Sequence, residues 1–232
     1  MTITTVGLDA DDTLWHNETV FRLTQARFLE LLTDHDNGAI EARLAEIERR
    51  NLRLYGYGVK GFTLSMIETA MEMCGGDPPA GVIREILAAG REMLAHPVET
   101  LPGVDEALAR LSERYRLVLV TKGDLLDQER KLAASGLGEL FAAVEIVSEK
   151  DRTTYERVFA RHGTGPGEAV MAGNSMKSDV LPALDAGAFA VHIPYAITWA
   201  HELADAPEAH PRYGALNSIT ALPDWIDGRS DG

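Results

Sequence analysis

Cysteine is nearly missing from this sequence: Cys74 is the one thiol in 232 residues, so no disulfide forms within the chain and nothing points to an oxidising compartment. Aromatic residues are sparse at 6%, yet 45% hydrophobic and 25% charged residues are ordinary globular values, which exclude a disordered tail or a fibrous repeat. Basic residues are outnumbered, 22 Lys and Arg against 36 Asp and Glu, and the formal net charge of -14 opposes binding to nucleic acid or to an anionic membrane. No segment approaches the roughly 20 apolar residues that span a bilayer. Met1 to Leu8 lacks a basic stretch followed by a long apolar one and a cleavage site. The expectation is a soluble, cytoplasmic protein. Small anionic substrates stay open, because a local cluster of cations or a bound metal reverses the field inside one cleft.

What is present divides the chain by texture. Ile3 to Leu8 is a short β-branched apolar run, read as a buried strand that ends at Asp9. From Val20 to Leu94 the apolar residues recur at helical spacing, predicting about four amphipathic helices. Turn residues break them at 36–38, at the Gly-rich 55–61 and at 75–79. After Pro102 helices and strands alternate: helix 104–115, strand 117–120, helix 125–135, strand 144–147, helix 153–162, strand 169–172, helix 178–186 and strand 189–193. Apolar strands separated by helices predict a doubly wound α/β fold with a parallel sheet, interrupted by a helical insertion. The boundaries place residues 1–16 and 97–232 in the α/β core and 17–96 in the insertion, with 196–212 as a loop-rich excursion. The methionines at 66, 71 and 73 follow helical spacing and read as core.

Parallel sheets carry their ligand sites at the carboxyl ends of the strands. The first strand ends in Asp9-Ala10-Asp11-Asp12-Thr13, and a spacing of two turns Asp9 and Asp11 to one side of an extended chain. The competing reading is that Asp12 or Thr13 caps a helix. The strand 117–120 leads into Thr121-Lys122-Gly123-Asp124, where a hydroxyl and backbone amides can hold a phosphoryl oxygen, or where Asp124 opens the next helix. Lys150 follows the strand 144–147, where a lone lysine reads as a solvated charge unless its strand-end position gives it a role. The strand 169–172 leads into Gly173-Asn174-Ser175-Met176-Lys177-Ser178-Asp179, whose last acid is a hard-metal ligand or an acid at a helix start.

Taken together, these strand ends resemble the motifs of the haloacid dehalogenase superfamily of aspartate-nucleophile phosphohydrolases. Asp9, Asp11 and Thr13 match the first motif, Thr121 the second, Lys150 the third, and Gly173 with Asp179 the fourth. Asn174 departs from the pattern, standing where many relatives carry an acid, and touches metal directly, acts through water or only orients Asp179. The resemblance implies a Rossmann-like core with a helical cap over small substrates. It implies Asp9 as nucleophile, Asp11 as general acid and base, and Thr121 and Lys150 on the phosphoryl oxygens, with Lys122 and Gly123 beside them. Two carboxylates facing a phosphate call for a divalent cation, and Mg²⁺ on Asp9, the Asp11 carbonyl, Asp179 and the Asn174 position fits this hard oxygen set. Asp11 favours phosphate chemistry over dehalogenation, since displacing halide requires no acid. Tyr57 and Lys60, in the Gly-rich loop of the insertion, are the candidates for contacting the leaving group, although an interhelical turn explains their sequence equally well. The expectation is thus a Mg²⁺-dependent phosphatase acting on a small phosphate ester, as monomer or homodimer, with a phosphomutase or a catalytically silent phosphate-binding protein as alternatives.

Overall fold

The structure, a computed structural model, describes residues 2–197, 199 and 202–230. Its sheet contains β1 (Thr5–Leu8), β2 (Arg116–Lys122), β3 (Ala143–Val147), β4 (Ala169–Gly173), β5 (Phe189–His192) and β6 (Tyr213–Ala215). The order is β3-β2-β1-β4-β5-β6 and every neighbouring pair is parallel. This doubly wound order reverses direction between β1 and β4, which puts the ligand crevice beyond their carboxyl ends.

Alternation along each strand divides the core between two faces. Leu117 and Leu119 pack with α5 (Val104–Ser112), α9 (Leu222–Ser230) and Leu132 of α6 (Leu125–Ser135). Val118 and Val120 pack with Tyr155, Val158 and Phe159 of α7 (Arg152–His162), and with Ala183 and Leu184 of α8 (Leu181–Asp185). Both faces are covered by apolar side chains, as a parallel sheet requires.

Cα proximity divides the chain into two compact units, one formed by residues 1–18, 98–122 and 128–232, the other by 19–97 and 123–127. The second holds most of α1 (Glu18–Leu31), with α2 (Asn37–Tyr55), α3 (Val59–Met73) and α4 (Ala80–Ala95). Its own core joins Phe28, Ile40, Leu44, Phe62, Met66, Ile86 and Met93. Asp36 caps α2 by accepting the Ala39 N–H. The short segment 123–127, read from the sequence with the α/β core, groups with these helices.

Further details differ from the sequence reading, among them Met71, which was read as core and is exposed. The helix expected over 104–115 stops at Ser112. That expected over 178–186 starts as a single π turn, Met176–Val180, before α8, and Pro182 occupies the opening turn of α8, where a missing N–H costs nothing. Beyond the excursion, part of which lies outside the described residues, β6 and α9 complete the sheet unit. No helix among the described residues is long and apolar enough to cross a membrane.

Candidate active site

The register builds the site. Leu8 pairs with Ala172 on one side and Leu119 on the other, so Asp9 emerges level with Gly173 and one residue short of Thr121. The Asp9 N–H is fixed to the Ala172 carbonyl at 3.0 Å. Lys150, three residues past β3, sends its ammonium to Asp9 Oδ1 at 2.5 Å and to Asp179 Oδ1 at 2.7 Å. Its side chain is only 2% exposed, and those of Asp9 and Asp179 9% and 1%. Asp179 also accepts the Ser175 N–H on Oδ2 at 2.9 Å. That approach needs glycine before the turn, because a Cβ on Gly173 would lie 2.2 Å from Asp179 Oδ2.

Two buried carboxylates share one ammonium, which leaves an excess negative charge. Burial, against the pull of Lys150 and reinforced by Asp179, pushes the Asp9 carboxyl up to about 7. Burial also disfavours the Lys150 charge, but Asp179 and Asp9 together hold its ammonium above the ordinary lysine value. The two upward directions agree physically: one cation serving two anions is strongly held, while neither anion is fully neutralised. Such a centre favours the protonated form of Asp9 more than an exposed carboxyl would.

Asp11 is held differently. Its carboxylate accepts from the Trp15 indole N–H at 2.7 Å, the Gln128 amide at 2.8 Å and the Lys131 ammonium at 2.9 Å. Asp12 is the capping group of the cluster: at φ 63° its carboxylate accepts the N–H groups of Asn17 and Glu18 at 2.8 and 3.0 Å. Burial pushes its carboxyl up to about 7 in spite of those bonds. Thr13 faces the centre, its hydroxyl 3.0 Å from Asp9 Oδ2 and 3.3 Å from Asn174 Oδ1, while accepting the Asn174 N–H at 3.1 Å. Asn174 is thereby linked to Asp9 through Thr13.

Thr121 is buried at the end of β2. The ammonium of Lys122 is engaged by Ser178 Oγ at 2.8 Å and Glu202 Oε1 at 2.7 Å. The structure therefore brings together Asp9, Asp179 and Lys150 directly, with Asn174 one hydroxyl away. Gly123, Tyr57 and Lys60 belong to the helical unit. There Lys60 pairs with Asp124 at 2.9 Å, and Asp124 caps the start of α6 through the Asp127 N–H.

Sequence reasoning missed Gln128, Lys131 and Glu202. The first two were accessible to it, since a spacing of three on one helix puts them on one face. Glu202 had no motif to mark it, being an acid in a loop-rich stretch.

A model of the haloacid dehalogenase-like hydrolase family matches residues 3–187, a span that contains every strand-end residue described above. The chain belongs to this family. Within it, the chain is similar to a haloacid dehalogenase-like hydrolase from Xanthomonas campestris of known structure, at 40% identity and a TM-score of 0.88 over 99% of this chain and 94% of that one. It is 28% identical to the phosphoserine phosphatase of Thermus thermophilus over 87% of this chain and 80% of that protein. It is also 28% identical to the N-acylneuraminate-9-phosphatase of Mus musculus, where the match spans about half of each, 53% of this chain and 52% of the relative. The haloacid dehalogenase-like core explains why acids and cations concentrate at the carboxyl ends of β1 to β4.

Proposed function

We propose that this haloacid dehalogenase-like hydrolase is a Mg²⁺-dependent phosphatase that cleaves a small phosphorylated metabolite through an aspartyl phosphate on Asp9. The observation that carries the reading is the Asp9–Lys150–Asp179 centre with a second carboxylate, Asp11, two residues along the chain. The two phosphatase relatives support it.

The donors fit Mg²⁺: two buried carboxylates sharing one ammonium are hard oxygen ligands of the kind this ion takes while keeping several waters. Asp9, the Asp11 carbonyl and Asp179 would hold it, and when bound it offsets the charge between the carboxylates and the phosphate. Asn174 acts through Thr13, orienting Asp9.

In the first step an Asp9 oxygen bonds to phosphorus as the ester P–O bond breaks, and Asp11 gives its proton to the departing alkoxide. In the second, water attacks the phosphoryl group, Asp11 takes the water proton, and the Asp9–phosphorus linkage breaks to release phosphate. Thr121 and Lys150 hold the equatorial oxygens while their charge builds. Lys131, Gln128 and Trp15 orient Asp11 so that it meets the leaving group in one geometry.

The test is phosphate release from a panel of small phosphate esters with Mg²⁺, repeated in EDTA and with Asp9→Asn purified identically. Selective release that disappears in both controls is expected. Equal release by parent and variant would remove Asp9 as nucleophile and overturn the reading.

A further inference from the structure

We infer that Glu202, from the excursion after β5, is a positioning residue of this site: its carboxylate ties the end of β2 to the turn that presents Asp179. The inference rests on the phosphatase reading, and extends the site to a segment carrying none of the four strand-end motifs.

The argument is a count of donors and acceptors. Glu202 Oε1 takes the Lys122 ammonium at 2.7 Å, and Oε2 takes both the Ser175 and the Ser178 hydroxyls. Each hydroxyl has one proton to give. Ser175 gives its proton to Glu202 and accepts the Ser178 N–H at 2.9 Å, whereas Ser178 gives its proton to Glu202 and accepts from Lys122 at 2.8 Å. Ser175 then donates its own backbone N–H to Asp179 Oδ2 at 2.9 Å. From the other side the Tyr155 hydroxyl holds the Ser178 carbonyl at 2.9 Å. Three donors therefore converge on one carboxylate, and the serine next to the Asp179 contact is among them.

This carboxylate does not reach Asp9 or Asp179. With Glu149 at 3.5 Å it offsets the charge of Lys122, whose ammonium is thereby engaged away from Asp9 and Asp179. It also fixes Ser175, whose N–H keeps Asp179 Oδ2 in place and leaves Oδ1 to Lys150. A π turn, Met176–Val180, is uncommon backbone. The hydroxyl of Ser175 just before it and that of Ser178 within it are both held by a carboxylate from a distant segment, which accounts for how that turn is kept. Glutamine cannot substitute: with its carbonyl toward the serines, its NH₂ would face the Lys122 ammonium, donor against donor.

The experiment measures Mg²⁺ binding by titration calorimetry without substrate, together with kcat and KM, for the full chain and for Glu202→Gln. Groups that support a metal ligand from behind typically cost 10- to 100-fold in affinity or activity when lost. The expected result is a Mg²⁺ Kd about 10-fold weaker and a kcat at saturating Mg²⁺ about 10-fold lower, with KM within about twofold of the parent. A purely structural Glu202 would lower the melting temperature and leave both ratios unchanged, and that result overturns the inference. Should Glu202→Gln fail to fold, Ser178→Ala removes one donor to the same carboxylate and leaves the Ser175 to Asp179 bond. A weaker Mg²⁺ Kd in that variant supports the inference, and an unchanged one overturns it. A parent that neither binds Mg²⁺ nor hydrolyses any ester defeats the phosphatase reading itself, an outcome distinct from a parent and variant that behave alike.

Discussion

The two units of this chain treat charge in opposite ways. In residues 19–97 the ion pairs lie on the surface, as where Arg27 meets Glu85 and Glu92, and the buried polar groups are Asn51, Ser65 and Thr69, all uncharged. Each of those hydroxyls is spent on the carbonyl four residues back in its own helix. The sheet unit instead buries Asp9, Asp12, Lys150 and Asp179. Burying charge that is not fully paired costs stability, and the sheet unit bears that cost at the ends of its strands. Incompletely paired charge of this kind, confined to the carboxyl ends of the strands, marks a candidate functional site. Within residues 19–97 the buried core carries no charge, and the one buried acid of the helical unit among the described residues, Asp127, lies in its 123–127 segment.

The sharpest way to break this contrast is Asp9→Asn. Turnover is expected to fall by about 10⁴-fold or more, as for other removed nucleophiles. Stability is expected to move the opposite way. A carboxyl raised from 3.8 to about 7 contributes stability that is full below about 4 and is lost as pH rises through 7. In EDTA at pH 8 the variant should therefore melt above the parent, and the gap should narrow at pH 5. Melting curves at the two pH values check this, and a variant that melts lower at pH 8 would mean the Asp9 charge is fully compensated.

Lys150→Met tests the same contrast through the cation. It leaves two buried carboxylates facing each other, at a cost of about 3–5 kcal/mol in EDTA. Added Mg²⁺ should restore part of it, as any ligand of the native state does. Urea unfolding with and without the ion measures both. The matching change in the helical unit is Asn51→Leu, where the buried Asn51 Oδ1 has no partner among the described residues. Exchanging that amide for an apolar group of similar size should cost within about 1 kcal/mol. Equal losses for the two variants would dissolve the distinction between the units.

How much of this was legible beforehand follows from what each signal depends on. The strands β1, β2 and β4 were readable because apolar runs buried on both faces need no partner to announce them. The four helices were readable from period and turn residues. Asp9, Asp179 and Lys150 were readable because strand ends in parallel sheets carry ligands and the motif spacing matched. β6 was not: it has three residues with glycine at its centre, packed under the Trp225 ring, a contact made by a helix eight or more residues later. Glu202 was not, since its role depends on Lys122, Ser175 and Ser178 meeting in space from separate segments. The difference between Asp11 and Asp12 was also hidden. Both are acids of one cluster, and only the backbone at φ 63° turns Asp12 to cap α1 while Asp11 meets Lys131.

Gly173→Ala separates a site effect from a fold effect. The added methyl meets Asp179 Oδ2 and its carboxyl carbon, at 2.2 and 2.4 Å, so the Asp179 side chain must move. A weakening of Mg²⁺ affinity by about 10-fold or more is expected, by the same logic as for other groups that support a ligand. The melting temperature should change less than for Lys150→Met, since no charge is left unpaired by design. Calorimetric titration beside a melting curve distinguishes the two. Unchanged affinity would show that Asp179 tolerates displacement and is not a ligand.

The smallest expected effect lies on the helical surface and completes the contrast. Arg27 bridges Glu85 and Glu92 at 2.9 and 2.6 Å, geometry as good as that of Lys150, yet both its partners are about half exposed or more. Water and salt screen such pairs, and holding three long side chains in one arrangement costs rotamer freedom. A double-mutant cycle on Arg27 and Glu85 should give a coupling of about 0.5 kcal/mol or less that shrinks further at high salt. Near-identical distances are thus expected to carry very different energies in the two units, with burial as the cause. If the Arg27 pair instead proved as costly to break as the Lys150 pair, distance rather than burial would set the energy, and the raised Asp9 carboxyl would lose its explanation.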